Sequence, residues 1–573
     1  MNNTEVAVRF GQVADLLQIR GDNIHRVLSY RRAAESITDL AQDINQLAEN
    51  HELTSIPGIG KTLEEKINEL LDTGDLSFLN RLTEEIPLSI LELLRIDGMG
   101  HKRVKLVYDT LKILDLNGLE KAANNGSLAK LAGFGKKSAE KVLKGIQALR
   151  SFGDNRVRLG VALPAAEKIL AELRQLPSVT KAMIGGSVRR RKETIGDIDL
   201  LVATNDPETV MDTFTSLNVA NEVASKGPTK SRIVIENGLG VDLRVLPAEN
   251  WGTLLSYFTG SQAHNVRLRE LAKAQGLSLN EYAFSKPDSD EVILCPTEED
   301  VYKVLGMAWV PPELREDRGE IEAAQAGTLP TLLKEEDIRG DLHMHTTWSD
   351  GKQTILEMAQ AAVALGRQYI CITDHSYSLG IANGLSETRL LEQRQEILKV
   401  REVMGDRLVI LHGTEMEIRT DGSLDFSDEL LESLDFVIAA LHSGLSQSRQ
   451  QVTDRMLNAI ENRHVDMIAH PTGRLIGRRQ GADLDMEQII KAAARTHTIL
   501  EVNANPARLD LKDVHIKMAI DNHAKVAINT DAHHIDQLEL LPFGVATGRR
   551  GWATSENVVN SWDFERFTQY ISE

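Results

Sequence analysis

In the C-terminal part of the chain a set of histidines and acids each close a separate apolar run. This pattern limits the fold more than any other feature. His343 and His345 sit in GDLHMHTTWSDG, His375 ends YICITDH, and Glu415 lies in VILHGTEMEI. His442 ends DFVIAALH, His470 ends VDMIAHP, and Asp531 and His533 lie in VAINTDAHH. Short Val/Ile/Ala-rich runs separated by helix-like stretches read as buried parallel strands. A βα barrel builds its active site by placing polar ligands at the C-terminal ends of such strands. One such histidine is ordinarily a satisfied core residue; a series in phase with successive strand ends is not. Imidazole with carboxylate suits Zn²⁺, Mn²⁺ or Fe, and so many converging ligands point to more than one ion and to hydrolysis.

A chain of 573 residues exceeds what one core can organise, so several domains are expected. Cys295 and Cys371 lie far apart and suggest no disulfide framework. The opening MNNTEVAVRFGQVADLL lacks a basic region followed by an apolar core, and no apolar run approaches the length of a membrane span. The expectation is a soluble, cytoplasmic monomer with no membrane partner. A net charge of −19 argues on its face against a nucleic-acid partner. The cations cluster, however: 181–192 holds five and no acid, and RLIGRRQ adds Arg474, Arg478 and Arg479. Total charge therefore does not exclude DNA.

Residues 1 to about 150 read as all-helical, with Leu, Ile and Ala at helical spacing. An apolar-x-Gly-x-Gly turn followed by a basic helix recurs there, at Gly58/Gly60, Gly98/Gly100 and Gly133/Gly135. Recurrence at roughly 35 to 40 residues marks one supersecondary unit used three times. Two glycines permit a tight hairpin, and the amides opening the next helix then face outward toward a phosphate. The three turns resemble helix–hairpin–helix elements, which grip DNA backbones without reading sequence. From 151 the character becomes α/β, with KAMIGGS, DIDLLVA and SRIVIENGLGVDLRVL as strands and Glu-Asn-Gly as a hairpin turn. Prolines and mixed charges predict an interdomain linker over about 311–338, and the barrel fills 339–573.

The most specific string in the middle is GGSVRRRKETIGDIDLLVA, 185–203. Asp197 and Asp199 are two apart on a strand, so both carboxylates take one face. In GVDLRVL, Asp242 and Arg244 share a face opposite Val241, Leu243 and Val245. Three carboxylates converging from two strands would hold a pair of Mg²⁺ ions about 3.5–4 Å apart, the geometry for in-line nucleotidyl transfer. The Gly-Gly-Ser turn with Arg190 supplies amides, a hydroxyl and a cation for a triphosphate.

Over residues 1 to about 315 the chain resembles a family X DNA polymerase, through the unbroken spacing of Gly186-Ser187-Val188-Arg189-Arg190 to Gly196-Asp197-Ile198-Asp199. The resemblance implies that Asp197, Asp199 and Asp242 carry the catalytic metals and that Gly186, Ser187, Arg190 and Gly196 contact nucleotide phosphates. Through LLSYFTGSQAHNVRLRE it makes Tyr257 and Phe258 the sugar-discriminating pair, with Gly260 in the same nucleotide-binding turn. It also sets Asn265 and Arg269 along the minor groove. By the same resemblance 1–80 is a lyase-like helical domain, 81–150 a further helix–hairpin–helix region, 151–250 the palm and 251–315 the nascent-pair-binding part, before the linker core at 316–338. LSYRRAAESI and IPGIGKTLEEKI resemble the family's deoxyribose-phosphate lyase domain, which makes Lys66 the Schiff-base amine with His25, Tyr30 and Arg31 nearby. Thr62 stands where the family often has a second lysine, and a solvated helix-surface lysine remains the alternative for Lys66.

Residues 339–573 resemble the PHP domain, a distorted βα barrel, because His-x-His, TDH, GxE, LHS, AHP and TDAHH stand in that family's order. The resemblance implies up to three divalent ions, Mn²⁺ or Zn²⁺. One would be held by His343, His345, Glu415 and Asp531. A second would share Glu415 with His442 and His470, and a third would take Asp350, His375 and His533. Asp350 occupies a position where some members have histidine, and His534 is out of register with Asp531. A PHP domain behind a family X polymerase is the arrangement of bacterial PolX proteins. It implies gap filling with dNTPs on gapped or primer–template DNA in repair. It further implies a 3′→5′ exonuclease, with abasic-site endonuclease and 3′-phosphatase activity as extensions. Arg474, Arg478 and Arg479 would hold DNA at the cleft mouth, or form a solvated loop. The alternatives are a polymerase with a structural PHP metal, an idle DNA-binding scaffold and a small-molecule phosphatase. Intact ligands in both centres disfavour the first two, and the glycine hairpins disfavour the last.

Overall fold

The computed structural model of the chain describes all residues except 2, 39, 41, 97–98, 153–155, 236–237, 287–290 and 573. It divides into two compact units, Met1–Asn155 and Arg156–Glu573. Among the described residues, no helix is long and apolar enough to cross a membrane.

The first unit is helical, as its periodicity requires. Helices Asn3–Arg20 and Ile24–Thr38 pack together and bury Phe10, Leu17, Tyr30 and Ile37 in one apolar core. Helices Lys61–Thr73, His101–Leu111 and Lys136–Phe152 follow the three glycine turns. Gly58 and Gly133 have φ of +84° and +79°, conformations that side chains rarely adopt, which explains glycine there. Gly60 and Gly100 cap their helices without a side-chain bond. A Cβ on Gly60, Gly100 or Gly135 would meet nothing within 4 Å, so these helix starts are open to approach. Gly98 lies outside the described residues.

The second unit begins with β1 (Val157–Arg158), β2 (Val179–Ile184), β3 (Thr194–Ile195), β4 (Asp197–Thr204), β5 (Glu222–Lys226), β6 (Lys230–Val234) and β7 (Gly240–Leu246). Five of these form a sheet in the order β2-β4-β7-β6-β5, while β1 and β3 pair separately. β6 and β7 are the expected antiparallel hairpin; Glu236 and Asn237 of its turn lie outside the described residues. Alternation gives the sheet two uses: Ile198, Leu200, Val241, Leu243 and Val245 enter one core, leaving the acids on the other face. A small antiparallel sheet of β8 (Ser278–Leu279), β9 (Phe284–Ser285) and β10 (Val292–Ile293) follows.

The stretch expected as a linker is ordered and packed. Arg315 is fully buried with Glu298 at 2.6 Å, Glu316 accepts from Arg190 and Arg550, and Glu320 lies 2.7 Å from the buried ring of His264. Its mixed charges are partners in buried ion pairs rather than solvated ones, and that is why composition misreads it. Leu333 N–H donates to Ala553 O, so the segment is also stitched to the C-terminal part.

The last part carries β11 (Gly340–Asp341), β12 (Tyr369–Ile372), β13 (Val409–Glu417), β14 (Phe436–Ala440), β15 (Met467–Ile468), β16 (Ile499–Asn503) and β17 (Val526–Asn529). They are hydrogen-bonded in chain order and all parallel. Several helices between them start on capping boxes or side-chain caps, such as Thr354 with Glu357. A parallel bridge between Met344 and Ala532, with His345 N–H donating to Ala532 O, joins the first strand's exit to the last and nearly closes a barrel. Both faces of these strands are buried, which accounts for their unbroken apolar runs.

Candidate active sites

The palm centre follows from register. β4 and β7 run parallel with Asp199 beside Asp242 and Asp197 one pleat earlier, so three carboxylates share one face. Asp197 is 48% exposed at its side chain and Asp242 9%, so the cluster opens to solvent on one side. Burial first, then the charges of Asp197 and Asp242, pushes the Asp199 carboxyl up to about 7. Arg232, a residue not singled out from sequence, donates to Asp242 at 2.6 Å and lies 3.8 Å from Asp197. Its signal was available: it stands opposite Asp242 across the hairpin. Asp242 Oδ1 remains buried with no hydrogen-bond partner. A cluster with a free buried oxygen and one carboxyl resisting ionisation is short of positive charge, which fits divalent cations.

The Gly-Gly turn abuts this cluster. A Cβ on Gly186 would sit 2.1 Å from Asp199 Oδ2, and Gly185 N–H donates to Asp199 O, so only glycine lets the turn lie against the acids. Ser187 follows in the short helix Gly186–Arg189, and Gly196 directly precedes β4. Arg190 donates to Thr259 O at 2.5 Å and to Glu316 at 3.1 Å. Gly260 has φ +72°, and a Cβ there would meet Arg190 at 2.9 Å. Tyr257, Asn265 and Arg269 line one small cavity together, and Asn265 donates to Tyr257 O. Phe258 lies apart from that lining, with the Arg244 guanidinium 4.1 Å above its ring.

In the barrel, strand ends bring the sequence-selected ligands together. Glu415 is central and unexposed at its side chain: His470 Nε2 lies 2.9 Å from Oε1 and His442 Nε2 3.3 Å from it. His375 Nδ1 lies 2.8 Å and His343 Nε2 3.4 Å from Oε2. Asp531 Oδ1 faces His345 at 3.2 Å and His343 at 3.5 Å. Asp350 lies 3.4 Å from His533 and 3.7 Å from His375. Ligand atoms within 4.8 Å of one another form three groups: His343, His345 and Glu415; His375, Glu415 and His442; and His345, Asp350, His375 and His533. The expected three-way division differs: His345 and His375 each serve two groups, their rings stacked at 4.3 Å, and Asp531 and His470, expected in the first and second sites, fall in none of the three. His534 turns away to Asp536.

Both Glu415 oxygens and the Nδ1 atoms of His345, His375 and His470 are buried without hydrogen-bond partners. Buried acceptors left in this state are what a cation site requires. Burial opposes the Glu415 charge, yet His375, His442 and His343 hold its carboxyl well below the usual range. Burial and then the His533 and His375 charges press His345 down to about 3. A supporting layer escaped the sequence reading. Glu501 takes His343 Nδ1 at 2.7 Å, Glu417 takes His442 Nδ1 at 2.8 Å, and Asn503 donates to Asp531. Such partners fix the ring's tautomer and orientation. A charged residue inside an otherwise mostly apolar run, as in ILEVN, was the available signal, and that strand is fully buried.

Arg474 is corrected. It is buried, bonds the carbonyls of Arg508 and Leu509, and pairs with Glu193 at 2.7 Å, so it has no face for DNA. Arg478 and Arg479 are exposed. In the first unit Lys66 Nζ lies 4.7 Å from the Phe78 ring, beside Arg26 at 4.7 Å and Arg81 at 5.7 Å. Tyr30 stacks on that ring, Arg31 is engaged by Asp15, and His25 and Thr62 are exposed.

Known families match along the chain: a helix-hairpin-helix domain over 1–76, a SAM-like helix-hairpin-helix tandem over 90–148, the DNA polymerase beta thumb over 254–316 and the PHP domain over 341–505. The chain is 39% identical to the DNA polymerase/3′-5′ exonuclease PolX of Bacillus subtilis (strain 168), over 98% of both chains. It is 28% identical to DNA polymerase lambda of Rattus norvegicus, over 55% of this chain and 56% of that one. It is also 28% identical to a probable phosphatase of Thermoanaerobacter sp. (strain X514), over 41% of this chain and 94% of that one.

Proposed function

Because the chain belongs to the bacterial PolX family of family X DNA polymerases fused to a PHP domain, we propose that it fills short gaps in DNA during repair and trims 3′ ends at its barrel. The observation that carries this reading is the coexistence of two separate acid-rich clusters: three acids on one face of β4 and β7, and His/Asp/Glu groups at the barrel strand ends that could hold cations. Divalent ions held there, Mg²⁺ in the palm and Mn²⁺ or Zn²⁺ in the barrel, would supply Lewis-acid polarisation of phosphoryl oxygens and a lowered pKa for an attacking group.

In the palm, Asp197, Asp199 and Asp242 would hold the cations, and Arg232 keeps Asp242 oriented while shielding it from its neighbours. Gly186, Ser187 and Arg190 receive the triphosphate of a dNTP, with Gly196 and Gly260 shaping the turns around it. Tyr257 and Phe258 border the sugar, and Asn265 and Arg269 the minor groove. The glycine turns at Gly58/Gly60, Gly98/Gly100 and Gly133/Gly135 hold the DNA backbone through helix-start amides. In the barrel, Glu415 would be shared between cation groups, and Glu501 and Glu417 hold His343 and His442 as acceptor-ready rings. Arg478 and Arg479 meet DNA at the cleft mouth. The phosphatase-sized match supports abasic-site endonuclease and 3′-phosphatase activities at the same barrel. A Schiff-base role for Lys66 is favoured by the two guanidiniums that approach the same Phe78 ring. The enzyme works in the cytoplasm as a monomer.

The test is a labelled primer–template with a one-nucleotide gap, given Mg²⁺ or Mn²⁺ with and without dNTPs. Wild type should extend with dNTPs and shorten without them. Asp197→Ala should abolish extension and spare shortening, and His343→Ala the reverse, with melting curves checking that both fold. A folded His343→Ala protein that still shortens DNA at the wild-type rate would remove the hydrolytic assignment.

A further inference from the structure

After β16 the chain turns through residues 505–511 and places Arg508 beside the barrel's cation site. Asp531 uses Oδ1 toward His345 and His343; its Oδ2 accepts from Asn503 at 3.0 Å and lies 3.6 Å from Arg508 Nε. Arg508 Nη1 is buried with no hydrogen-bond partner, while 19% of the side chain remains exposed. Among the described residues, the only carboxylate paired with Arg508 is one already facing two imidazoles. A partly exposed guanidinium with an unused donor beside this cluster describes a place for an anion with several oxygens.

The loop's position is set from the palm side. Arg474 donates to the Arg508 and Leu509 carbonyls and pairs with palm residue Glu193 at 2.7 Å. Gly160 packs so tightly that a Cβ there would lie 2.6 Å from Pro506. Asn503 anchors both ends of the arrangement, donating to Asp531 and accepting from Asn505 N–H.

We propose that Arg508 is a catalytic residue of the barrel, donating to a non-bridging oxygen of the terminal phosphodiester, with Arg474 as its positioning residue. This rests on the hydrolytic reading given above. Water adds to phosphorus and the bond from phosphorus to the 3′ oxygen breaks. The departing 3′ oxygen takes up the proton that water gives, releasing a nucleoside 5′-monophosphate. The Arg508 guanidinium offsets charge gathering on the phosphoryl oxygens.

The full-length protein, its Arg508→Gln and its Arg508→Lys variants are compared with Mn²⁺ on a labelled single strand. Bound metal after gel filtration, melting temperature and ³¹P relaxation of added inorganic phosphate are measured on the same preparations. Arg508→Gln should degrade DNA about 100-fold more slowly, keep its metal and melting temperature, and bind inorganic phosphate about 10-fold more weakly. Arg508→Lys should fall between. Loss of metal or melting temperature alongside activity would overturn the proposal, making Arg508 a prop for Asp531. So would an Arg508→Gln rate within threefold of wild type, or phosphate binding unchanged. A wild type that degrades nothing would overturn the hydrolytic reading itself, and the proposal with it.

Discussion

The two centres use the same acids in opposite ways. In the palm, three carboxylates stand on adjacent strands with Asp197 half in solvent and no imidazole among them. In the barrel, Glu415 is completely buried, imidazoles supply most of the donors, and Glu501 and Glu417 grip the far side of two rings. Oxygen-only, half-open sites suit hard ions that come and go, whereas buried mixed sites with an outer layer of partners suit ions that stay. The contrast suits their tasks: a polymerase meets a new nucleotide with its ion at each turnover, while an end-trimming centre can keep its ions between substrates.

The sharpest way to break that contrast is to remove one acid from each side. Glu415→Gln should lose about a thousandfold or more in hydrolysis, because two of the three ligand groups share it, and should emerge from gel filtration short of metal. Asp242→Asn should lose extension to a similar degree yet carry the wild-type complement of bound metal. Equal metal retention in both variants, measured by elemental mass spectrometry, would end the resident-versus-exchanging distinction. A smaller effect sharpens it: Glu501→Gln should weaken barrel metal affinity about 10- to 100-fold through His343 and leave extension unchanged.

The smallest effect concerns pH and the metal-depleted protein. Asp199 holds its proton up to about 7 in the fold, against 3.8 ordinarily, chiefly through burial and then through Asp197 and Asp242. Between those values the folded state carries a proton that the unfolded chain has lost. Stability from this group is therefore present below about pH 4 and is lost as pH rises through 7. Asp199→Asn, without extension activity, should melt a few degrees above metal-depleted wild type at pH 8 and together with it at pH 4. Added Mg²⁺ should narrow the gap at pH 8. A variant that melts lower at pH 8 would mean that the three acids do not repel one another as described.

Ligands at strand ends are legible in the sequence because each terminates an apolar run, so topology alone converges them. The Asp-x-Asp strand is legible for the same reason: a two-residue period fixes the face. What lies one layer out is harder to read. Glu501 sits within ILEVN, and only its register beside the His470 strand turns it toward His343. Charge patterns mislead where partners are distant in the chain. Arg315, Glu316 and Glu320 look like solvated linker charges, yet they are buried against Glu298, Arg550 and His264. Arg474 likewise looks like a phosphate contact until Glu193, 281 positions earlier by residue number, is found beside it. Neither pairing has a local sequence signature.

The Met344–Ala532 bridge that closes the barrel also sets an order of events during synthesis. Thr530 meets Asp341 across 189 residues, and Asp531 and His533 are made only after that interval. At about 5–20 residues per second a ribosome needs roughly 10–40 s to cover it. By then Asp197, Asp199 and Asp242 have long emerged, while the barrel still lacks its final wall and two of its ligands. A nascent chain therefore carries Asp197, Asp199 and Asp242 well before the barrel can close, whereas the contacts that Glu316 and Leu333 make with Arg550 and Ala553 form only after the last strand is made.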